Sequence, residues 1–470
     1  MPRGGKQRRS RSRRDEPEAT IVDEGQVRRA VAAAAIGNTV EWFDFGVYSY
    51  IAVVIGQVFF PPTNPTAQLL STFAAFAVAF LVRPLGGFFF GPLGDRIGRR
   101  TVLAITMVTM ALGTVTIGLI PSYATIGIWA PVLLLVARLV QGFSTGGEYG
   151  GAATFVAEYS PDRRRGFMAS WLELGTLTGY ALGAGLVIAL TVVLSPQDLV
   201  SWGWRIPFLL AGPLGIVGLY LRFRLGESPA YQAGSESEDE QAAATLRSLR
   251  TIFGDHWRAM LKCIGLVMVF NVTNYMLTAY MPTYLSAVLG FPHTGALALV
   301  LVAMVLVMGL IVVLGRFSDR IGRRPIAALG SAALIVLAFP AFLLIGAGSV
   351  PAVLAGLLVM GLILVCFSGT MPSTLPALFP TEVRYGAVSV GFNISVALFG
   401  GTTPLIAESL VAATGMRSVP AFLLVIAGAV GLVAVWAIRE PAGRALPGSK
   451  PTATDRQEAR QRAEEEREAD

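Results

Sequence analysis

The sequence predicts an all-α membrane protein of about twelve transmembrane helices, arranged as two six-helix bundles. Three observations carry that expectation. Hydrophobic residues make up 54% of the 470 residues and charged ones only 14%, with a mean hydropathy of +0.61, well outside the composition of soluble domains. Apolar runs long enough to cross a ~30 Å hydrocarbon core recur from Val31 to Trp436. The hexapeptide Asp-Arg-Ile-Gly-Arg-Arg is written twice, at Asp95 to Arg100 and at Asp319 to Arg324, each time between two apolar runs. A unit repeated in the same order marks a duplication whose halves share one orientation. An aspartate beside three arginines is costly in hydrocarbon, so each copy is expected as a short connection at a membrane surface.

The chain opens on a basic tail, 1–30, whose first eighteen residues are Arg-rich and of disordered composition. Arg8 to Arg14 suit anionic lipid headgroups, or simply fix orientation. No short apolar stretch with a small-residue cleavage site follows, so no cleaved targeting peptide is expected. The first bundle, 31–225, reads as spans at 33–59, 68–93, 101–120, 126–158, 166–194 and 204–223. A polar, partly acidic central loop occupies 226–255. The second bundle, 256–438, reads as spans at 258–289, 295–316, 325–346, 351–378, 386–412 and 419–438. The charged tail, 439–470, ends in a helix-prone segment whose only apolar residues from Asp455 onward are Ala459, Ala463 and Ala469. That spacing makes no sustained coiled-coil seam.

Orientation follows the arginines, which are retained on the cytoplasmic side during insertion. They crowd the N-terminal tail, 96–100, 163–165, 222–224, 316–324, Arg384 and the C-terminal tail, while the alternate loops carry none except Arg205 and Arg417. Both termini are therefore expected in the cytoplasm. The same excess explains the sequence pI of about 9.6 without nucleic acid as a partner. Cys263 and Cys366 both fall in apolar spans, which indicates packing rather than a disulfide framework. His256 and His293 lie near span ends and belong to no metal-ligand cluster. A metal-dependent membrane enzyme is thereby disfavoured, and no catalytic residue or cofactor is indicated.

Ionisable residues inside spans are costly and default to functional candidates. The first half has Glu41 and Asp44 on span one, Arg83 on span two, Arg138 and Glu148 on span four, and Glu173 on span five. At ~1.5 Å of rise per residue, the four acids and Arg83 fall in one layer, with Arg138 deeper. Arg138, Gln141, Thr145 and Glu148 share one helix face within about 80° of arc, as do Glu41, Asp44 and Tyr48 on span one. Four carboxylates face two guanidiniums, so an acid remains without an ionic partner even if both arginines are paired. Such an acid, with changing access to water, is suited to taking up and releasing a proton. Glu148 and Glu173 lead, followed by Glu41 and Asp44. A fixed network that only orients helices is the competing reading.

The second half has no mid-span charge to match. Its polar content is neutral and includes Asn271, Asn274 and Tyr275 on span seven and Asn393 on span eleven. A zwitterion suits this division: Arg83 or Arg138, with Gln141, takes a carboxylate, and Trp42, Phe43, Tyr48 or Tyr275 faces a cation through its ring.

The repeated Gly91-x-Leu93-x-Asp95-Arg96-x-Gly98-Arg99-Arg100 resembles the loop signature of the major facilitator superfamily of transporters. Further stretches narrow the resemblance to its metabolite:proton symporter family. They are Gly37-Asn38 with Glu41 to Phe45, Arg83 to Gly87, Gln141 to Phe143 with Gly146 to Tyr149, Phe155 to Gly166, and Trp202 to Phe208. The resemblance runs from about Val22 to Glu440. It implies the major facilitator fold and a multi-pass position in the bacterial plasma membrane; Pro121 to Tyr123 with Thr125 to Pro131, Asn271 to Thr273 with Tyr275 to Leu277, and Phe392 to Val396 are similar to the osmolyte importers within that family, which implies proton-coupled import of zwitterionic osmolytes such as proline or glycine betaine. No cofactor beyond the coupling ion H+ and no obligate protein partner are implied. It also implies a conformational latch in the signature: Asp95, Arg96, Gly98, Arg99, Arg100 and Arg165, with Asp319, Arg320, Arg323 and Arg324 as the pseudo-symmetric set. A long osmosensing coiled coil found in such importers has no counterpart in this tail. A symporter of a small organic anion, such as a dicarboxylate or shikimate-like acid, stays open as the alternative. A membrane sensor or channel fits less well, because it leaves the concentrated internal charges unexplained.

Overall fold

Each apolar run takes helical form because hydrocarbon offers its backbone no partner, so every N–H and C=O bonds within the segment. The computed structural model describes residues 20–62, 64–97, 99–224 and 254–461. Among the described residues, nine helices are long and apolar enough to cross a membrane. They are Pro65–Phe90, Trp129–Tyr159, Asp162–Val193, Trp257–Val288, His293–Ile321, Arg323–Gly346, Val350–Thr374, Thr381–Thr414 and Val419–Ala437. Span one is a bent pair, Glu24–Tyr50 and Ala52–Phe59, turning by 66°. Spans three and six supply the shorter apolar helices Ala104–Leu119 and Arg205–Ile216. The twelve positions read from the sequence are thus filled.

Boundaries shift where helix continues beyond the apolar residues. Span eight runs to Ile321 rather than ending at 316, so the aspartate of the second signature rides on the helix end. The turn falls at Gly322, whose φ of 103° lies in the region that favours glycine. Span two breaks at Val82 ahead of Pro84, which lacks the N–H needed to continue the ladder. Span four breaks between Ser144 and Glu148 at Gly146-Gly147. Span seven contains π-helical turns at Met276–Tyr280 and Tyr284–Val288, and span eleven one at Val396–Gly400. Such turns occur frequently at functional sites.

Small residues set how closely the helices cross. Gly175 and Gly179 of span five lie against the backbones of Ala35 and Thr39 of span one. Spans two and four interlock the same way, Gly142 facing Ala79 and Gly146 facing Arg83. The halves meet along one seam, where span five packs on span eight, span one on span seven, and span eleven on spans two and four.

The C-terminal tail is docked on the signature-bearing face. Thr452–Ala453 pairs in parallel with Thr20–Ile21. The N–H of Thr452 donates to Asp162 at 3.1 Å, and Arg165 donates to the carbonyl of Arg444 at 2.9 Å. Glu440 caps span nine, accepting from the N–H groups of Arg323 and Arg324 at 2.9 Å each. Arg384 reaches the carbonyl of Pro447. Residues 440–453 therefore join the two halves. The segments 1–19, 225–253 and 462–470 lie outside the described residues.

Candidate functional site

The buried charges of the first half form three groups. In the first, Arg83 donates to Glu41 at 3.1 Å, both 3% exposed or less. The break before Pro84 places this guanidinium against Phe80, Phe45 and Trp42, with ring centroids 4.6, 4.7 and 5.6 Å from its carbon. Charge pairing and cation–π attraction act together there. Trp42 donates to Asn38 at 3.0 Å, and Asn38 donates to the Leu172 carbonyl at 3.0 Å, tying the indole to span five.

The second group is a relay through hydroxyl and amide groups. Arg138 donates to Gln141, Gln141 to Thr114 at 2.7 Å, and Thr114 to Asp44 at 2.8 Å. Arg138 stacks over Tyr48 at 3.7 Å. It is fully buried, and its Nε and one terminal nitrogen have no partner among the described residues; the same holds for Oδ1 of Asp44. Glu148 accepts from Thr106 at 2.9 Å. Glu41, Asp44 and Glu148 line one small cavity with Met107 and Met110.

Glu173 forms the third group. It accepts from the hydroxyl of Tyr149, whose ring stacks on Phe392 of the second half at 3.9 Å and 14°. The four acids thus divide: three share a cavity within the first bundle, and the fourth is linked through one tyrosine to the seam.

At the middle of the seam, Tyr275 packs on Trp42 at 5.9 Å and on Phe80 at 5.3 Å. Its hydroxyl is buried without a partner among the described residues, as is the amide nitrogen of Asn271. Asn274 is buried on the same span. The predicted substrate residues do not all converge there. Arg138, Gln141 and Tyr48 pack inside the first bundle, and the backbone of Phe43 lies against Gly179 and Gly183 of span five. Asn393 donates to the carbonyls of Gly146 and Ser389, joining span eleven to span four.

The second signature copy bridges the halves. Asp319 accepts from the N–H groups of Gly166 and Phe167 at 2.7 and 2.8 Å, at the first turn of span five, and from Arg323 at 3.2 Å. A carboxylate there meets the positive end of the helix dipole. Arg323 also donates to the Ser373 carbonyl at 3.1 Å, Arg165 pairs with Asp162, and Arg320 is exposed. Arg384 adds a second bridge, to Glu158 at 2.8 Å. In the first copy, Gly98 and the side chains of Asp95, Arg96, Arg99 and Arg100 lie outside the described residues.

Near the end of span eleven, away from mid-span, the second half also holds a buried acid: Glu408, 5% exposed, accepts from Tyr280 at 3.0 Å. The signal was present in the sequence, an acid within the predicted span 386–412 close to its end. Thr114, Tyr149 and Tyr180 are further buried members invisible as single uncharged residues. Tyr180 packs on Trp42 at 5.6 Å. Among the described residues, no group of three His, Cys, Asp or Glu is placed to hold a metal.

Comparison with known proteins follows the same lines. The sequence profile of the Major Facilitator Superfamily matches residues 34–400. The proline/betaine transporter of Salmonella typhimurium (strain LT2) is 49% identical over 449 residues, 94% of this chain and 90% of that protein. The glycine betaine/proline/ectoine/pipecolic acid transporter OusA of Dickeya dadantii is 47% identical over 449 residues, 94% of this chain and 89% of that protein. Among solved structures, the proton:xylose symporter XylE bound to 6-bromo-6-deoxy-D-glucose aligns with a TM-score of 0.72 at 20% identity, covering 90% of this chain and 98% of that one.

Proposed function

The chain belongs to the major facilitator superfamily, and from that premise we propose that it imports zwitterionic osmolytes such as proline or glycine betaine with a proton, by alternating access across the bacterial plasma membrane. The observation that carries this reading is the Arg83–Glu41 pair set among Trp42, Phe45 and Phe80, with Tyr275 of the second half closing over the same rings. A guanidinium for a carboxylate, and rings beside an acid for an ammonium, match both ends of a zwitterion. The names of the relatives point to the same substrates.

In this reading the substrate binds between Arg83, Trp42 and Tyr275, with Asn271 and Asn274 adding hydrogen bonds. The unpartnered Tyr275 hydroxyl and Asn271 amide support that placement, since buried polar groups are normally satisfied. Glu173 and Asp44 carry the proton: each is met by hydroxyls, so each exchanges a proton without breaking an ion pair. Glu173 has the added link through Tyr149 to Phe392, by which its state reaches the second half. Asp319 and Arg384 hold the signature-bearing end closed.

The test is uptake of labelled proline, glycine betaine and ketoglutarate into proteoliposomes, with and without an inward proton gradient. Gradient-dependent uptake of the two zwitterions is expected, and Glu173→Gln is expected to abolish the gradient dependence. Uptake of ketoglutarate alone would transfer the reading to an organic-anion symporter, a role the two unpartnered nitrogens of Arg138 also suit. Zwitterion uptake indifferent to the gradient would remove the proton.

A further inference from the structure

Glu408 stands apart from the charges of the first half. It is 5% exposed, and among the described residues it forms no ion pair; the Tyr280 hydroxyl at 3.0 Å is its partner. One neutral hydrogen bond compensates only part of the cost of burying a carboxylate. If its task were only to tie span eleven to span seven, an uncharged amide would serve at lower cost.

Its surroundings point to a cation. The Tyr280 and Tyr284 rings lie 5.7 Å apart, and Tyr280 meets Phe73 of span two at 6.2 Å across the seam. The helix that carries Glu408, Thr403–Thr414, packs on span two of the first half as well as on span seven. Acid and rings therefore sit on the seam, toward the end opposite the signature loops. Tyr284 donates to the carbonyl of Arg417 at 2.7 Å, and Arg417 is exposed. This arginine is one of the two that break the charge pattern of the outer loops.

We propose that Glu408, Tyr280, Tyr284 and Arg417 form an outer docking site for the zwitterionic substrate, separate from the Arg83 layer. It rests on the osmolyte reading above. When the halves part at this end, ring contacts such as Phe73–Tyr280 separate, and Glu408 becomes reachable from outside. The ammonium of the substrate lies against the Glu408 carboxylate and the two ring faces, a pairing that strengthens when partly desolvated. Arg417, at the rim, takes the carboxylate. The site concentrates substrate at the opening before it reaches Arg83.

The test measures binding of tetramethylammonium chloride and of glycine betaine to the full chain in nanodiscs, followed by tryptophan fluorescence. Glu408→Gln keeps an acceptor for Tyr280 and so preserves the fold. It is expected to weaken both probes about tenfold, the value of one charge-assisted contact. Arg417→Gln is expected to weaken glycine betaine while leaving tetramethylammonium unchanged. In uptake assays Glu408→Gln raises KM with little change in maximal rate. Unchanged tetramethylammonium binding in Glu408→Gln overturns the proposal. Glu408-dependent binding of tetramethylammonium in a wild-type protein that imports neither proline nor betaine would keep the cation site and overturn the osmolyte reading instead.

Discussion

The two ends of the seam between the halves are closed by different chemistry. At the signature-bearing end, Asp319 caps span five, Arg384 reaches Glu158, and residues 440–453 pair with both halves. These are directional, charge-assisted bonds to helix termini and backbone, each with two discrete states, made or broken. At the other end Phe73 meets Tyr280 ring on ring, a contact that tolerates a broad range of geometries. In the transport cycle proposed above, the ring-closed side is expected to open the more easily, since the charged side opens only when several bonds release together.

The comparison is anchored by the layer between the two ends, where the largest effect is expected. Arg83→Ala leaves the Glu41 carboxylate buried without its guanidinium, at a cost of about 3–5 kcal/mol; thermal unfolding in detergent should show it, and uptake should be lost. A thermally unaltered variant would mean that Glu41 has another counter-charge and that the layer does not anchor the seam. Next comes Asp319→Asn, which weakens the cap on span five by about 2 kcal/mol. Spin-label distances between the signature-side ends of spans five and eight should lengthen, and unchanged distances would make the signature a topology signal alone.

A smaller effect is expected from Thr452→Pro, which removes the N–H donated to Asp162 and costs about 1–2 kcal/mol. Protease access to the tail should rise, followed by a milder version of the Asp319→Asn shift. If access rises without any shift at the seam, the tail is docked but carries no load in closing this end. The smallest effect belongs to Phe73→Leu, about 0.5–1 kcal/mol from a lost aromatic pair. Labelling of a cysteine introduced at the end of span two opposite the signature should increase about two- to fivefold, on the order of that free energy. A larger effect than that of Asp319→Asn would invert the comparison.

Much of this molecule was legible along the chain. The spans, the duplication and the set of buried charges each depend on a local quantity: apolar length against bilayer thickness, a repeated string, or the cost of an ion in hydrocarbon. What the residues do with one another was not legible in the same way. Asn393 was a reasonable candidate for substrate, yet it bonds the Gly146 carbonyl, because the crossing of spans four and eleven brings that backbone to it. Tyr149 stood only within a stretch of family resemblance, with no charge to mark it, although it links Glu173 to the second half. The alanines of the tail gave no sign of the pairing of Thr452–Ala453 with Thr20–Ile21, which depends on where spans one and twelve place the adjoining segments.

The sequence by itself therefore determined a twelve-span duplicated carrier whose ionisable residues are concentrated in the first half. The tertiary structure decided the partners: Glu41 with Arg83 across 42 residues, Asp44 with Thr114 across 70, and Glu408 with Tyr280 across 128. The physical reason is one of range. Hydropathy and the cost of a charge act on a segment alone, whereas a hydrogen bond needs two atoms about 3 Å apart. In this protein that proximity is set by glycine-paved crossings between helices distant in sequence, such as Gly142 on Ala79 and Gly175 on Ala35.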